Sequence, residues 1–151
     1  MNICFAGILC LISVSAAAAD DRQIADAWLS AYQSQDFAAM GTLLNDDSHF
    51  IDPTSFGREG FEAPIDWAGA EAIRAGIRSW GITHAQYHFE DIFESPGRVI
   101  YRGSIDVTYG TAEARYSFNF PIITIITVAG DHIAEHRDYT DYDGATALAS
   151  D

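Results

Sequence analysis

The sequence predicts an α+β fold, in which three N-terminal helices pack on one face of a curved antiparallel sheet in the element order α-α-β-α-β-β-β-β. Two observations carry this prediction. Apolar residues recur at helical spacing mainly before residue 82, whereas the long stretches after it alternate between apolar and polar residues. Three turn signals, Ser95-Pro96-Gly97, Gly110-Thr111 and Gly130-Asp131, divide those stretches into four strands. Helices that precede a run of strands are typical of a layered α+β domain.

The three helices are predicted from apolar spacing and from their end signals. Residues 20–35 carry apolar side chains at i, i+3, i+4, i+7 and i+8, which form one stripe: Ile24, Ala27, Trp28, Ala31 and Tyr32. Asp36 is a suitable N-cap for a second helix through Leu44. A third helix is predicted over residues 68–80, and Gly81 ends it.

A short strand and a long loop are predicted between the second and third helices. Residues 48–52 form the strand, and Pro53 stops it. Residues 53–67 form the loop, whose aromatic side chains indicate that it packs over the domain.

The longest strand is predicted over residues 112–128, after strands at 83–94 and 98–109. Its segment 122–128 is apolar on both faces, so we expect both faces to be covered. Pro121 within this strand predicts a bulge or bend.

The last strand carries ionisable side chains on both of its faces. Because side chains alternate along a strand, one set lies together on the first face: Ala134, His136, Asp138 and Thr140. The other set points the opposite way: Ile133, Glu135, Arg137 and Tyr139. The first face is expected to point towards the helices. Residues 144–151 are expected to form a short, loosely ordered tail.

The N-terminal residues 1–19 have the features of a secretory signal peptide, with an apolar stretch that leads into a small-residue cleavage site at Ala17-Ala18-Ala19. Cleavage would leave one domain at residues 20–143 and its tail, secreted or periplasmic. A retained membrane anchor is the alternative. Both cysteines, Cys4 and Cys10, lie in the removed segment, so the mature domain would depend on packing rather than on disulfides.

The chain is strongly acidic, with a net charge of −14, and all eight of its cationic side chains are arginine. This balance excludes a nucleic-acid partner and stable association with anionic membranes after cleavage. It favours a neutral or cationic ligand.

Four segments together resemble the nuclear transport factor 2-like superfamily of cone-shaped α+β domains. They are the early helix with Trp28 and Tyr32, the segment 46–53, the third helix from Gly69, and the closing Arg137-Asp138-Tyr139-Thr140-Asp141. The resemblance covers residues 27–143 and is greatest to the SnoaL-like cyclases and limonene-epoxide-hydrolase-like enzymes. It implies a pocket inside the cone, although this scaffold hosts many unrelated functions.

Two catalytic patterns of the superfamily can be compared with this sequence. The ketosteroid isomerases have a general base directly before a proline, and Asp52 matches that position. The isomerase's tyrosine falls at Trp28 and its hydrogen-bond-donating acid falls near Ile123, so the resemblance does not extend to steroid isomerisation. In the epoxide-hydrolase pattern Asp106 and Asp138 match the two acids. Its arginine falls at Ser104, which argues against epoxide hydrolysis.

An acid–base site of Asp138, Asp106 and His136 is the resulting hypothesis, if both strands point these side chains into one cone. Two carboxylates in an apolar pocket cannot both ionise cheaply, so one would stay protonated. His136 could orient a carboxylate or shuttle a proton. The alternative for Asp106 is a solvent-facing surface shared with Arg102. Asp52 is expected at the mouth of the pocket, or else as a turn carboxylate.

Six residues are predicted to contact a substrate, as core aromatics or as matches to pocket positions of relatives: Trp28, Tyr32, Phe50, Trp67, Ser104 and Ile123. No metal is predicted, because His84 and His88, like His132 and His136, are four residues apart in strands and so lie about 13 Å from each other. No cofactor is predicted either, and the sequence shows no phosphate-binding loop. Two functions remain open. One is an exported enzyme for acid–base chemistry (isomerisation, cyclisation, dehydration or hydrolysis) on a small, apolar, uncharged substrate. The other is a non-catalytic binding domain, and a homodimer through the outer sheet face is expected in either case.

Overall fold

The computed structural model describes residues 20–58, 61–110 and 115–149. The predicted signal peptide, residues 1–19, lies outside these ranges. Within them, no helix is both long and apolar enough to cross a membrane.

Three helices form as the sequence predicts: α1 (Asp21–Gln33), α2 (Phe37–Leu43) and α3 (Ala70–Ser79). The predicted cap of α2 is confirmed, since the Asp36 carboxylate accepts hydrogen bonds from the backbone N–H groups of Ala38 and Ala39 at 3.1 and 2.9 Å. Asp20 caps α1 in the same way through the Arg22 N–H.

The strands build one curved sheet, which the three helices cover on its inner face. They are β1 (His49–Asp52), β2 (Ile65–Ala68), β3 (Ile82–Ser95), β4 (Arg98–Gly110), β5 (Arg115–Ala129), β6 (His132–Thr140) and β7 (Thr146–Ala147). The sheet order is β2-β1-β6-β5-β4-β3, and β7 pairs with β5. All pairs are antiparallel except β1 with β6, which is parallel. The predicted α+β architecture is confirmed, with this one parallel pair added.

Two short strands were not predicted. The expected loop 53–67 contains a 3₁₀ turn (Pro53–Ser55) and then β2, which pairs with β1. The tail is not loose throughout, because Thr146 and Ala147 pair with Asn119 and Phe118 of β5. β2 and β7 have four and two residues, too few to show a periodic pattern of their own, so their pairing partners reveal them.

Pro121 does not produce the predicted bulge. The residue pairs with Ser104 in register, and the register shift of β5 occurs instead between Thr127 and Val128. The Pro121 carbonyl accepts a 2.9 Å hydrogen bond from the Asp141 N–H. The backbone N and O atoms of a strand residue point to the same neighbouring strand, so the Pro121 nitrogen, which has no hydrogen to donate, points to the end of β6. The hydrogen bonds between β5 and β4 are therefore not interrupted.

The inner face of the sheet is closed by the helices, and the outer face is not covered by the described part of this chain. Within the segment predicted to be covered twice, Thr124 and Ile126 are fully buried, whereas Ile123 is 39% exposed. Tyr139 of β6 lies opposite Ile123 and is 42% exposed. The prediction that both faces of segment 122–128 are covered is therefore confirmed for the inner face. The described part of this chain does not cover the outer face.

Candidate active site

The inner face of the sheet encloses a cavity of about 280 Å³. Its wall is mainly apolar and aromatic: Phe61, Ile65, Trp80, Ile82, Ile105, Val107, Tyr109, Phe120 and Ile122. Five polar residues complete it: Tyr32, Asp52, Asp138, Thr140 and Tyr142. No arginine, lysine or histidine is among these lining residues, so the ionic groups that the described residues place on the wall are two carboxylates.

Asp138 projects from β6 into this wall and is 5% exposed. Its Oδ1 atom accepts a 2.6 Å hydrogen bond from the Thr124 hydroxyl. The Nε2 atom of His136 lies 2.9 Å from the same oxygen, but outside the alignment of a full hydrogen bond. Oδ2 has no hydrogen-bond partner among the described residues. One carboxylate oxygen is thus held, and the other is available to the cavity.

His136 lies behind Asp138, not on the cavity wall, and is 1% exposed. Its Nδ1 atom accepts a 2.7 Å hydrogen bond from the Trp28 indole. The Phe50 ring packs against it with centroids 4.4 Å apart. His136 is therefore enclosed by aromatic side chains from α1 and β1, and its Nε2 atom faces Asp138.

Asp52 is also buried, but both of its oxygens are occupied. Oδ1 accepts hydrogen bonds from the Thr54 N–H, at 2.9 Å, and from the Thr54 hydroxyl. Oδ2 accepts from Tyr142 at 2.6 Å and from Thr140 at 3.3 Å. Burial, and after it the bond to Asp52, raises the pKa of Tyr142, which keeps this phenol a donor. Four donors make Asp52 a tie between β1 and the end of β6.

Tyr32 offers a neutral donor to the cavity from α1. The side chain is 4% exposed, and its hydroxyl makes no hydrogen bond to a described residue. Burial, and after it the charge of Asp138, raises the pKa of Tyr32 well above its ordinary value. The phenol therefore stays protonated beside Asp138.

The expectation that Asp106 shares the cavity with Asp138 is wrong. Its neighbours Ile105 and Val107 line the cavity, so strand alternation points Asp106 to the outer face. There it accepts hydrogen bonds from Asn119 at 2.6 Å and His88 at 2.8 Å. Partial burial alone would raise the pKa of Asp106, but these two partners outweigh it and lower the pKa. The surface alternative is the correct one, with histidine and asparagine as partners.

Of the six residues predicted to contact a substrate, only Tyr32 lines the cavity. Ser104 and Ile123 lie on the outer face, where Ser104 accepts a hydrogen bond from Asn119. Trp28, Phe50 and Trp67 belong to the aromatic core behind the wall. Positions matched to distant relatives fail here because a shift of one residue reverses the face of a strand side chain.

The sequence analysis did not identify the apolar wall of the cavity, and it missed two polar residues of the site. Thr124 interrupts an inward series of aliphatic residues in β5, and such a lone hydroxyl on a buried face was a readable signal. Tyr142 follows the end of β6, and nothing local indicates that it reaches Asp52. The described ranges contain no group of three or more His, Cys, Asp and Glu side chains that could hold a metal ion.

An open α+β cone with a cavity between its helices and its sheet defines the nuclear transport factor 2-like class. The family model named SnoaL-like domain matches residues 25–136. The chain therefore belongs to the SnoaL-like family.

Solved structures agree with this fold. A candidate SnoaL-like polyketide cyclase from Shewanella denitrificans OS-217 superposes with a TM-score of 0.71 at 20% identity, over 82% of this chain and 91% of that one. The Δ5-3-ketosteroid isomerase from a Mycobacterium species superposes with a TM-score of 0.69 at 16% identity, over 84% of this chain and 97% of that one. An LEH-like epoxide hydrolase of M. tuberculosis superposes with a TM-score of 0.58 at 20% identity, over 80% of this chain and 82% of that one. No functionally curated protein matches the chain significantly. These identities support the fold and leave the chemistry to the cavity itself.

Proposed function

We propose that this protein is an exported small-molecule enzyme that performs cofactor-free acid–base chemistry on an apolar, uncharged substrate. The observation that carries the proposal is Asp138, a buried carboxylate on the wall of a mainly apolar cavity, one of whose oxygens has no hydrogen-bond partner among the described residues. Isomerisation, cyclisation, dehydration and hydrolysis can each proceed through proton removal by such a base. Similarity to cyclase, isomerase and epoxide-hydrolase structures supports an enzyme of this general kind.

In this proposal Asp138 is the general base and Tyr32 is the hydrogen-bond donor. Oδ2 of Asp138 takes a proton from the bound substrate, and the neutral Tyr32 hydroxyl stabilises the negative charge that develops on a substrate oxygen. The mainly apolar wall strengthens both interactions because electrostatic interactions are stronger in surroundings of low polarity. Asp52 has a structural role, since its oxygens already accept four hydrogen bonds.

The test measures proton abstraction directly. The mature protein is incubated in D₂O with a panel of small cyclic ketones, and deuterium at the α-carbon is followed by mass spectrometry. We expect exchange above the buffer rate, and a loss of about 100-fold or more in Asp138→Asn. Asp106→Asn is the matched control, because it removes a carboxylate from the outer face of the same sheet. Equal loss in both variants, or no loss in Asp138→Asn, would overturn the role of Asp138.

The charges of the wall favour a second candidate function. In it the protein is a non-catalytic domain that binds a cation with apolar substituents. The cavity has two carboxylates, no cationic lining residue and several aromatic rings, which is the chemistry that binds quaternary ammonium groups. Titration with benzyltrimethylammonium and with its neutral isostere neopentylbenzene separates the two functions. Preference for the cation without any deuterium exchange would favour binding, and deuterium exchange together with preference for the neutral compound would favour the enzyme.

Export and dimerisation belong to the same proposal. A signal peptide cleaved after Ala19 predicts a secreted or periplasmic protein that begins at Asp20, which intact mass spectrometry of the exported protein would measure. The uncovered outer face with Ile123 and Tyr139 supports a homodimer. In sedimentation experiments Ile123→Asp should then shift the protein to monomer, whereas a monomeric wild type would contradict the dimer.

A further inference from the structure

We propose that Trp28 and His136 are positioning residues that hold one oxygen of Asp138 and so assign the other oxygen as the base. This inference rests on the proposed function, in which Asp138 abstracts the proton. It assigns a task to two residues that do not line the cavity.

The first step is the position of the proton on the His136 ring. The Trp28 indole lies 2.7 Å from Nδ1, and an indole N–H can only donate a hydrogen bond. Nδ1 must therefore present its lone pair, and the ring proton is on Nε2. Both side chains are buried, with exposures of 0% and 1%, so water does not compete for this bond.

The second step is the contact between Nε2 and the carboxylate. Nε2 lies 2.9 Å from Asp138 Oδ1, and the Thr124 hydroxyl donates to that same oxygen at 2.6 Å. Both polar neighbours are thus on Oδ1, and the proton of His136 is directed to the side of the carboxylate away from the cavity. Oδ2 is left as the atom that meets a substrate.

The third step concerns the alignment of this contact. Nε2 has no aligned hydrogen bond, although a buried N–H normally has one. Catalytic hydrogen bonds are often poorly aligned before a substrate binds and shorten or align in the complex. When a substrate binds at Asp138, a small rotation of the His136 ring aligns Nε2 with Oδ1. His136 then orients Asp138 and does not shuttle protons, since neither nitrogen reaches the cavity wall.

The positioning contact has a spectroscopic signature that packing alone would not change. Long-range ¹H–¹⁵N correlation spectra of the labelled mature protein identify the tautomer of His136, with His136→Gln as the assignment control. We expect a single neutral Nε2–H tautomer in the wild type. In Trp28→Phe, which keeps an aromatic ring but removes the donor, we expect a shift towards a mixture of tautomers. An Nδ1–H tautomer in the wild type, or an unchanged spectrum in Trp28→Phe, would overturn the proposal.

Trp67→Phe is the matched control for loss of an indole. Trp67 packs on Phe50 and Trp80 in the same aromatic core. Unlike the Trp28 indole, its indole donates no hydrogen bond to His136. Its substitution should leave the His136 tautomer unchanged.

The effect on chemistry is measured in the deuterium-exchange assay. We expect Trp28→Phe to lower kcat by about 10- to 100-fold with little change in KM, because the base is misplaced while the cavity wall is intact. If the wild type exchanges no ketone, the proposed function fails, but the tautomer spectra still decide whether Trp28 and His136 position Asp138. Normal kcat in Trp28→Phe together with a changed tautomer would show that the contact has no catalytic role.

Discussion

The Tyr142 hydroxyl donates a 2.6 Å hydrogen bond to the Asp52 carboxylate, across 90 positions of sequence. The bond joins the segment after β6 to the end of β1, and both side chains form part of the cavity wall. This polar contact therefore connects two parts of the cavity wall that are distant in sequence.

Removal of the Asp52 carboxylate should destabilise the fold. Asp52→Ala leaves the Thr54 and Tyr142 donors without their acceptor, and we expect the free energy of unfolding to fall by about 2–4 kcal/mol. Tyr142→Phe removes one of these bonds and should cost about 1–2 kcal/mol. Urea denaturation followed by circular dichroism measures both, with the exposed Tyr116→Phe as a neutral control. A stable Asp52→Ala variant would show that the carboxylate is not a structural tie.

Removal of the Tyr87 hydroxyl should leave the free energy of unfolding almost unchanged or should raise it. Tyr87 is buried and its hydroxyl has no aligned hydrogen bond, so Tyr87→Phe removes a desolvated polar group. We expect the free energy of unfolding to rise by up to about 1 kcal/mol. Tyr101→Phe is the contrasting variant, because that hydroxyl donates a 2.7 Å bond to Asp26, and its loss should destabilise. If Tyr87→Phe is the more destabilising of the two, the hydroxyl is bonded after all.

Alkaline pH should unfold the protein cooperatively. Burial raises the pKa values of Tyr32 and Tyr87, and burial followed by the bond to Asp26 raises that of Tyr101. A phenol whose pKa is higher in the folded state stabilises that state fully below its unfolded value of about 10, and the contribution is lost as the pH rises towards the folded pKa. We expect constant stability up to about pH 10 and a fall of up to about 1.4 kcal/mol per pH unit for each tyrosine above it. Gradual phenolate absorbance without loss of circular dichroism would contradict this expectation.

Two helical glycines should respond in opposite directions to the same substitution. A Cβ atom at Gly76 of α3 would clash with the Trp67 ring, so Gly76→Ala should lower the free energy of unfolding by about 1–3 kcal/mol. A Cβ atom at Gly41 of α2 would meet only the flexible Arg74 side chain at 3.3 Å. Gly41→Ala should therefore raise the free energy of unfolding by up to about 1 kcal/mol, through helix propensity. Thermal and urea denaturation of the two variants measure the difference, and a fall for both would contradict it.

Some features of this fold follow from local sequence, since helical and strand periodicity are properties of adjacent residues. The apolar stripe of α1 and the N-cap at Asp36 are of this kind. The alternation in β6 also separates His136 and Asp138 from Arg137 without any knowledge of tertiary contacts. In the structure the first pair is buried, and Arg137 bonds to Glu135 on the other face.

The site could not be assembled from the sequence in the same way. Alternation correctly put Ile105 and Asp106 on opposite faces, but only the packing of the helices decides which face encloses the cavity, and it excludes Asp106. The contacts of Trp28 with His136 and of Tyr142 with Asp52 join residues 108 and 90 positions apart. Sequence alone thus determined the three helices, the strands β1 and β3 to β6, and the alternation of their side chains. The tertiary structure decided which carboxylate has a free oxygen in the cavity, because hydrogen-bond partners are set by the pairing of distant segments and not by the residues next to them.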